Sequence, residues 1–96
     1  MSDDAQRCDV WLFRARLFKS RALAAQFVDA GKLRIERPGG RAEKLKKPSG
    51  LVRPGDRLIY VRSGRLIHLH VLGLGHRRGP ASEAQALYQL EAQDSR

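Results

Sequence analysis

Acidic residues, cysteines, aromatic rings and long apolar runs are all scarce in this chain, and each scarcity removes a class of protein. The single cysteine, Cys8, cannot close an internal disulfide. The fold must therefore rest on its core, as expected in a reducing cytoplasm. No apolar run approaches the roughly 20 residues of a membrane-spanning helix. The opening "MSDDAQR" is acidic and polar, with no apolar signal region behind it. A cytoplasmic protein without membrane contact is expected. Serines and carboxylates are scattered, with neither a nucleophile elbow nor a recognisable acid–base pair. "GLGHRRG" follows a strand pattern but lacks the dinucleotide fingerprint. Neither an enzyme nor a cofactor is expected.

Positive charge is what the chain has in excess. Its 96 residues hold 19 Lys plus Arg against 10 Asp plus Glu, a net charge of +9. Most of the basic residues are Arg, whose planar fork suits phosphate oxygens better than Lys does. So large a charge on one small domain favours a polyanion as partner. With one Trp, two Tyr and three Phe, few rings are available to stack on bases. Recognition by shape and phosphate contact is expected instead.

Hydrophobic spacing places the elements. Asp9 can cap a helix over "VWLFRARLF", with Asp9, Leu12, Arg16 and Lys19 on one exposed strip. Ser20 suits the N-cap of a second helix, "RALAAQFVDA", which Gly31 ends. About one residue is left between the two, so they should form a tight corner. The second helix has the apolar stripe Leu23, Ala24, Phe27 and Val28. "KLRIE" then alternates as a short strand, and residues 37–50 read as a mobile cationic loop. "RLIYV" and "LIHLHVL" are strands joined by a turn at "RSGR". "ASEAQALYQL" reads as a closing helix, with Ser82 a suitable cap and Ala84, Leu87 and Tyr88 its apolar side.

Lys19 and Arg21 flank the start of the second helix, where its dipole disfavours cations. The same terminus offers backbone N–H groups to an anion. With Ser20, and with Arg16 one turn earlier, they form the first candidate phosphate site. Arg41, Lys44, Lys46 and Lys47 in the loop form a second cluster, and Arg77 and Arg78 a weaker third. His68 and His70 share a strand face at a spacing that can hold a metal. The sequence places no third ligand, so no metal site is expected. Cys8 reads as a small core residue.

"RCDVWLFRARLFKSRALAAQFVDAGKL" followed by "KKPSGLVRPGDRLIYV" resembles the RNA-binding domain named after ribosomal small-subunit protein S-four. Arg7, Asp9, Lys19, Ser20, Arg21, Gly31, Gly55 and Asp56 fill its pattern. "RRGPASEAQALY" is similar to a segment of the ribosome-associated heat-shock protein fifteen subgroup, with one inserted Gly. The loop from Arg37 to Gly50 is longer and richer in Gly than the usual pattern.

The resemblance implies an α+β fold, a two-helix corner of the alpha-L type on a small, mainly antiparallel sheet, with a short C-terminal helix. It implies an RNA-binding domain over residues 7–72 and a C-terminal segment over 73–96. The partner it implies is structured RNA, bound through Arg16, Lys19, Ser20, Arg21, Arg41, Lys44, Lys46 and Lys47 by a monomer. For the subgroup it further implies large-subunit ribosomal RNA with peptidyl-tRNA, after translation stalls. Double-stranded DNA binding is the alternative, because the helix pair superficially resembles a helix-turn-helix. A protein-interaction adaptor using the last helix is the third reading.

Overall fold

A computed structural model describes residues 4–91 of the chain; Ala92 to Arg96, the end of the expected C-terminal segment, lie outside the described residues. Helix α2 (Arg21–Asp29) forms where local cap and stop signals coincide. Ser20 is extended, and its Oγ accepts from the Leu23 N–H at 3.1 Å. At the other end Gly31 takes φ +76°, and its N–H donates to the Val28 carbonyl.

Helix α1 (Cys8–Arg14) starts and stops earlier than the periodicity predicts. Arg7, not Asp9, is the N-cap, and it makes no side-chain cap bond. Asp9 sits in the first turn and is buried, as is Leu12, so the expected exposed strip does not exist. The helix ends because Arg16 turns left-handed at φ +60°. The Arg16 N–H then donates to the Phe13 carbonyl and the Leu17 N–H to Leu12. Six residues, 15–20, thus separate the helices rather than one.

The sheet is larger than the sequence suggests. Strands β2 (Arg34–Glu36), β3 (Ala42–Lys44), β5 (Arg57–Arg62), β6 (Arg65–Val71) and β7 (Tyr88–Leu90) form one sheet in the order β3-β2-β5-β6-β7. Short strands β1 (Gln6–Arg7) and β4 (Leu51–Val52) pair separately. All of these pairings are antiparallel, so the α+β class and the mainly antiparallel sheet hold. Ser63 and Gly64, at φ +53° and +75°, make the two-residue turn between β5 and β6.

Two departures have the same cause. The expected loop contains β3 because its residues 42–44 find the free edge of β2. The expected closing helix stops at α3 (Ala81–Gln85), and Tyr88–Leu90 joins the edge of β6 as β7. The residue before α3 is Pro80, and no side chain caps the helix, Ser82 included. Pairing with the edge of a neighbouring strand supplies main-chain hydrogen bonds that outweigh weak local preference.

One cluster joins both helices to the sheet. Ile35, Leu58 and Leu69 lie side by side across three strands and are buried. Trp11 is fully buried and donates from Nε1 to the Gly73 carbonyl at 2.8 Å. Phe27 and Phe18 meet with ring centroids 5.1 Å apart, and Tyr60 packs beneath both. Leu23, expected on the apolar stripe, is instead 45% exposed. On the opposite sheet face lie Arg34, Glu36, Arg57, Ile59, His68 and His70, none of them buried.

Candidate nucleic-acid interface

The candidate interface centres on the turn between α1 and α2. Lys19 is exposed and has no ion pair with any described residue. Ser20 spends its hydroxyl on the α2 cap. Arg21 begins α2, and its Nε lies 3.5 Å from Asp9 Oδ2. Arg16 projects from the left-handed position and donates from Nε to the Gly79 carbonyl at 2.6 Å.

Asp9 organises this end of the molecule. Its buried carboxylate accepts from Arg7 Nη2 at 3.0 Å, from Arg7 Nε at 3.2 Å and from the Val10 N–H at 2.7 Å. A buried carboxylate is costly unless so satisfied. Arg21 is therefore partly a structural residue, although its side chain remains 54% exposed.

Part of the second predicted cluster joins the first. The α1 N-terminus donates from Cys8 N to the Gly50 carbonyl at 2.8 Å and from Asp9 N to the Pro48 carbonyl at 3.2 Å. These bonds satisfy helix-start donors that would otherwise lack partners. They also dock residues 48–50, which directly follow Lys46 and Lys47, against the start of α1. Gly50 is required by space: a Cβ there would lie 2.8 Å from Leu45 Cδ1 and 3.1 Å from the Lys47 carbonyl. Lys46 and Lys47 stay exposed while Leu45 between the strands is buried.

The remaining two predicted residues lie elsewhere. Lys44 is on β3, opposite Arg34, and its stem passes over Gly31. It therefore attends the C-terminal end of α2, where a cation is favoured. Arg41 follows the turn at Arg37–Gly40 and is exposed near that hairpin tip.

Sequence reasoning overlooked two contacts at the turn. Arg62 donates to the Leu17 carbonyl and lies 4.1 Å over the Phe18 ring. Arg14 donates to the Gly75 carbonyl at 2.7 Å. No local pattern marks either, since each partner is remote in sequence or is main chain. Of the weaker third cluster, Arg78 donates to the Phe13 carbonyl at 3.2 Å and stacks 4.8 Å over its ring. Arg77 pairs with Glu83 at 3.1 Å.

The other candidate chemistries are absorbed by the fold. His68 Nδ1 and His70 Nε2 lie 3.1 and 2.8 Å from the two oxygens of Glu91, which also meets Arg57 at 3.2 Å. Among the described residues no group of His, Cys, Asp and Glu could hold a metal ion. Burial, aided by the neighbouring Asp9 charge, pushes the Cys8 thiol up to about 12, so it stays protonated at neutral pH. Asp56 is buried and accepts from Arg37 Nη1 at 2.7 Å and Arg53 N at 2.9 Å. Among the described residues no helix is long and apolar enough to cross a membrane.

No protein-family model matches the chain. Heat shock protein 15 of Escherichia coli K12 is 34% identical over 87 residues, covering 91% of this chain and 61% of that protein. The heat shock protein 15 homolog of Haemophilus influenzae is 29% identical over 89 residues, covering 93% of this chain and 63% of that protein. The chain thus spans about three fifths of the length of these curated relatives. A solved structure of Vibrio cholerae heat shock protein 15, described as trimeric, superposes with a TM-score of 0.77 at 32% identity. That match covers 93% of this chain and 84% of the other. The chain belongs to the heat shock protein 15 family, with its S-four-like domain.

Proposed function

We propose that this chain binds structured RNA through the α1–α2 turn, by shape and phosphate contact, as a ribosome-associated stress protein. The observation that carries the reading is the charge at the turn. Arg16, Lys19 and Arg21 project there, and among the described residues the carboxylate paired with Arg21, Asp9, is buried, while Arg16 and Lys19 have no ion pair. Lys46 and Lys47 extend the cationic surface on the docked loop. Residues 7–72 form the RNA-binding unit, and Lys44 on β3 and Arg41 just before it serve as outlying phosphate contacts. The partner is large-subunit ribosomal RNA holding peptidyl-tRNA after a stall, and the setting is the cytoplasm. The binding unit in this reading is a monomer.

Duplex DNA fits less well. The exposed residues of α2 are Arg21, Ala22, Leu23, Gln26 and Asp29, which offer no row of groups for base edges. An adaptor role for α3 has little to stand on, because that helix has five residues.

The test is a Lys19→Ala, Arg21→Ala double variant, assayed with an RNA stem-loop at several salt concentrations. About six phosphate contacts in the parent should cost roughly three decades of affinity between about 50 and 200 mM salt. The double variant should bind more weakly and with a shallower salt slope. Unchanged affinity and slope in a folded variant would remove the turn from the interface. For the ribosome, sedimentation of an extract should place the protein with free large subunits, and migration elsewhere would refute that partner.

A further inference from the structure

The arginines whose side chains find a partner among the described residues fall into two electrostatic classes. Arg7, Arg21, Arg37, Arg57 and Arg77 each meet a carboxylate. Arg14, Arg16, Arg62 and Arg78 have no ion pair among the described residues. Each instead donates to a main-chain carbonyl: Gly75, Gly79, Leu17 and Phe13 respectively. All four lie around one short stretch, residues 13–18. Arg14 and Arg16 reach from it to the Gly75–Gly79 segment, and Arg78 reaches back from that segment to Phe13. Arg62 arrives from the end of β5 and covers Phe18.

This arrangement gathers four uncompensated charges that ordinary folding would keep apart. A guanidinium has five N–H donors, and a carbonyl leaves most of them unused while leaving the charge whole. Stacking on Phe13 and Phe18 holds two of the planar forks in place. Their rotamer freedom is already lost, so little more is lost when an anion binds. Arg16 is held there in a left-handed conformation that side chains rarely adopt.

We propose that Arg14, Arg62 and Arg78 complete, with Arg16, a preformed rim around the α1–α2 turn that takes the phosphodiester backbone of RNA. The proposal rests on the RNA-binding reading above and extends it to Arg14 and Arg62, outside the predicted clusters, and to Arg78 of the weaker third. Arg77, neutralised by Glu83, is not part of the rim.

Three proteins test it against one RNA stem-loop over a range of salt: the parent, an Arg62→Gln, Arg78→Gln double variant, and an Arg34→Gln, Arg65→Gln double variant. The last removes the same charge from arginines exposed on the sheet and hairpin. The rim pair should lose about tenfold or more in affinity near 150 mM salt, with a slope shallower by about 1.5 units. The control pair should lose less than about threefold with its slope kept. Equal losses in both pairs, or a parent-like rim pair, would overturn the rim and leave RNA binding standing. A parent without RNA affinity would overturn both. If the rim pair folds poorly, phenylglyoxal modification of the parent decides the matter. RNA should protect Arg14, Arg62 and Arg78 while Arg34 and Arg65 stay reactive, and equal reactivity of all five would refute the rim.

Discussion

Helices α1 and α2 end in the same hydrogen-bond pattern, yet different residues close them. In α1 the Leu17 N–H reaches Leu12 and Arg16 reaches Phe13; in α2 the Lys32 N–H reaches Phe27 and Gly31 reaches Val28. Both are Schellman turns, with a left-handed residue after the last helical position. Gly31 takes that conformation freely, whereas at Arg16 it costs on the order of 1–2 kcal/mol. The difference teaches what each turn is for. At Gly31 the chain has to stop and reverse into β2. At Arg16 it must also aim a guanidinium at the C-terminal segment, which a glycine could not do.

The comparison breaks most heavily at Leu12, whose carbonyl closes the α1 turn and whose side chain is fully buried. Leu12→Ala should cost about 2–5 kcal/mol by denaturant unfolding. An unfolding midpoint equal to the parent's would place Leu12 outside the core.

Alkali should loosen both helices in sequence. Burial raises the Cys8 thiol at the start of α1 from 9.0 to about 12, and the Tyr60 phenol beneath α2 from 10.0 to about 12. Both groups are neutral in the folded state and ionise more readily when unfolded. Their stabilisation is full below the unfolded values and is lost as pH rises toward the folded ones. Stability should therefore begin to fall near pH 9 and fall more steeply past pH 10. Cys8→Ala should remove the earlier part and keep the later; urea melts across this range give the answer.

Gly31→Ala sharpens the comparison from the other side. It forces a Cβ into a left-handed position, 3.4 Å from Lys44 Cδ and Nζ. The expected loss is about 1–2 kcal/mol, with RNA affinity nearly kept because the turn between the helices is untouched and only the outlying Lys44 is disturbed.

Arg16→Gly should have the smallest effect on stability, within about 1 kcal/mol of the parent. Relief of the backbone cost offsets the lost bond to Gly79. RNA affinity should nevertheless fall, and thermal melts paired with binding curves separate the two effects. A large destabilisation with unchanged affinity would show that Arg16 serves the fold alone.

Much of the geometry of the candidate site was readable because its signals are local. Ser20 caps the helix it precedes, and the charges of Lys19 and Arg21 flank that cap in sequence. Arg62 was not readable, since its partners Leu17 and Phe18 lie more than forty positions away. Nor was the sharing of Arg21 with Asp9, which requires α1 and α2 to be folded against each other.

The amino-acid sequence by itself determined the second helix, the reversal at Gly31, the β5–β6 hairpin and the excess of arginine. Each depends on neighbours within a few residues, or on composition, and needs no knowledge of the rest of the chain. Tertiary structure decided where α1 ends, that residues 42–44 and 88–90 become edge strands, and which arginines are neutralised. Those outcomes depend on which main-chain edges and carboxylates come within hydrogen-bond reach. Such reach exists only after the chain has closed its long loops around the core.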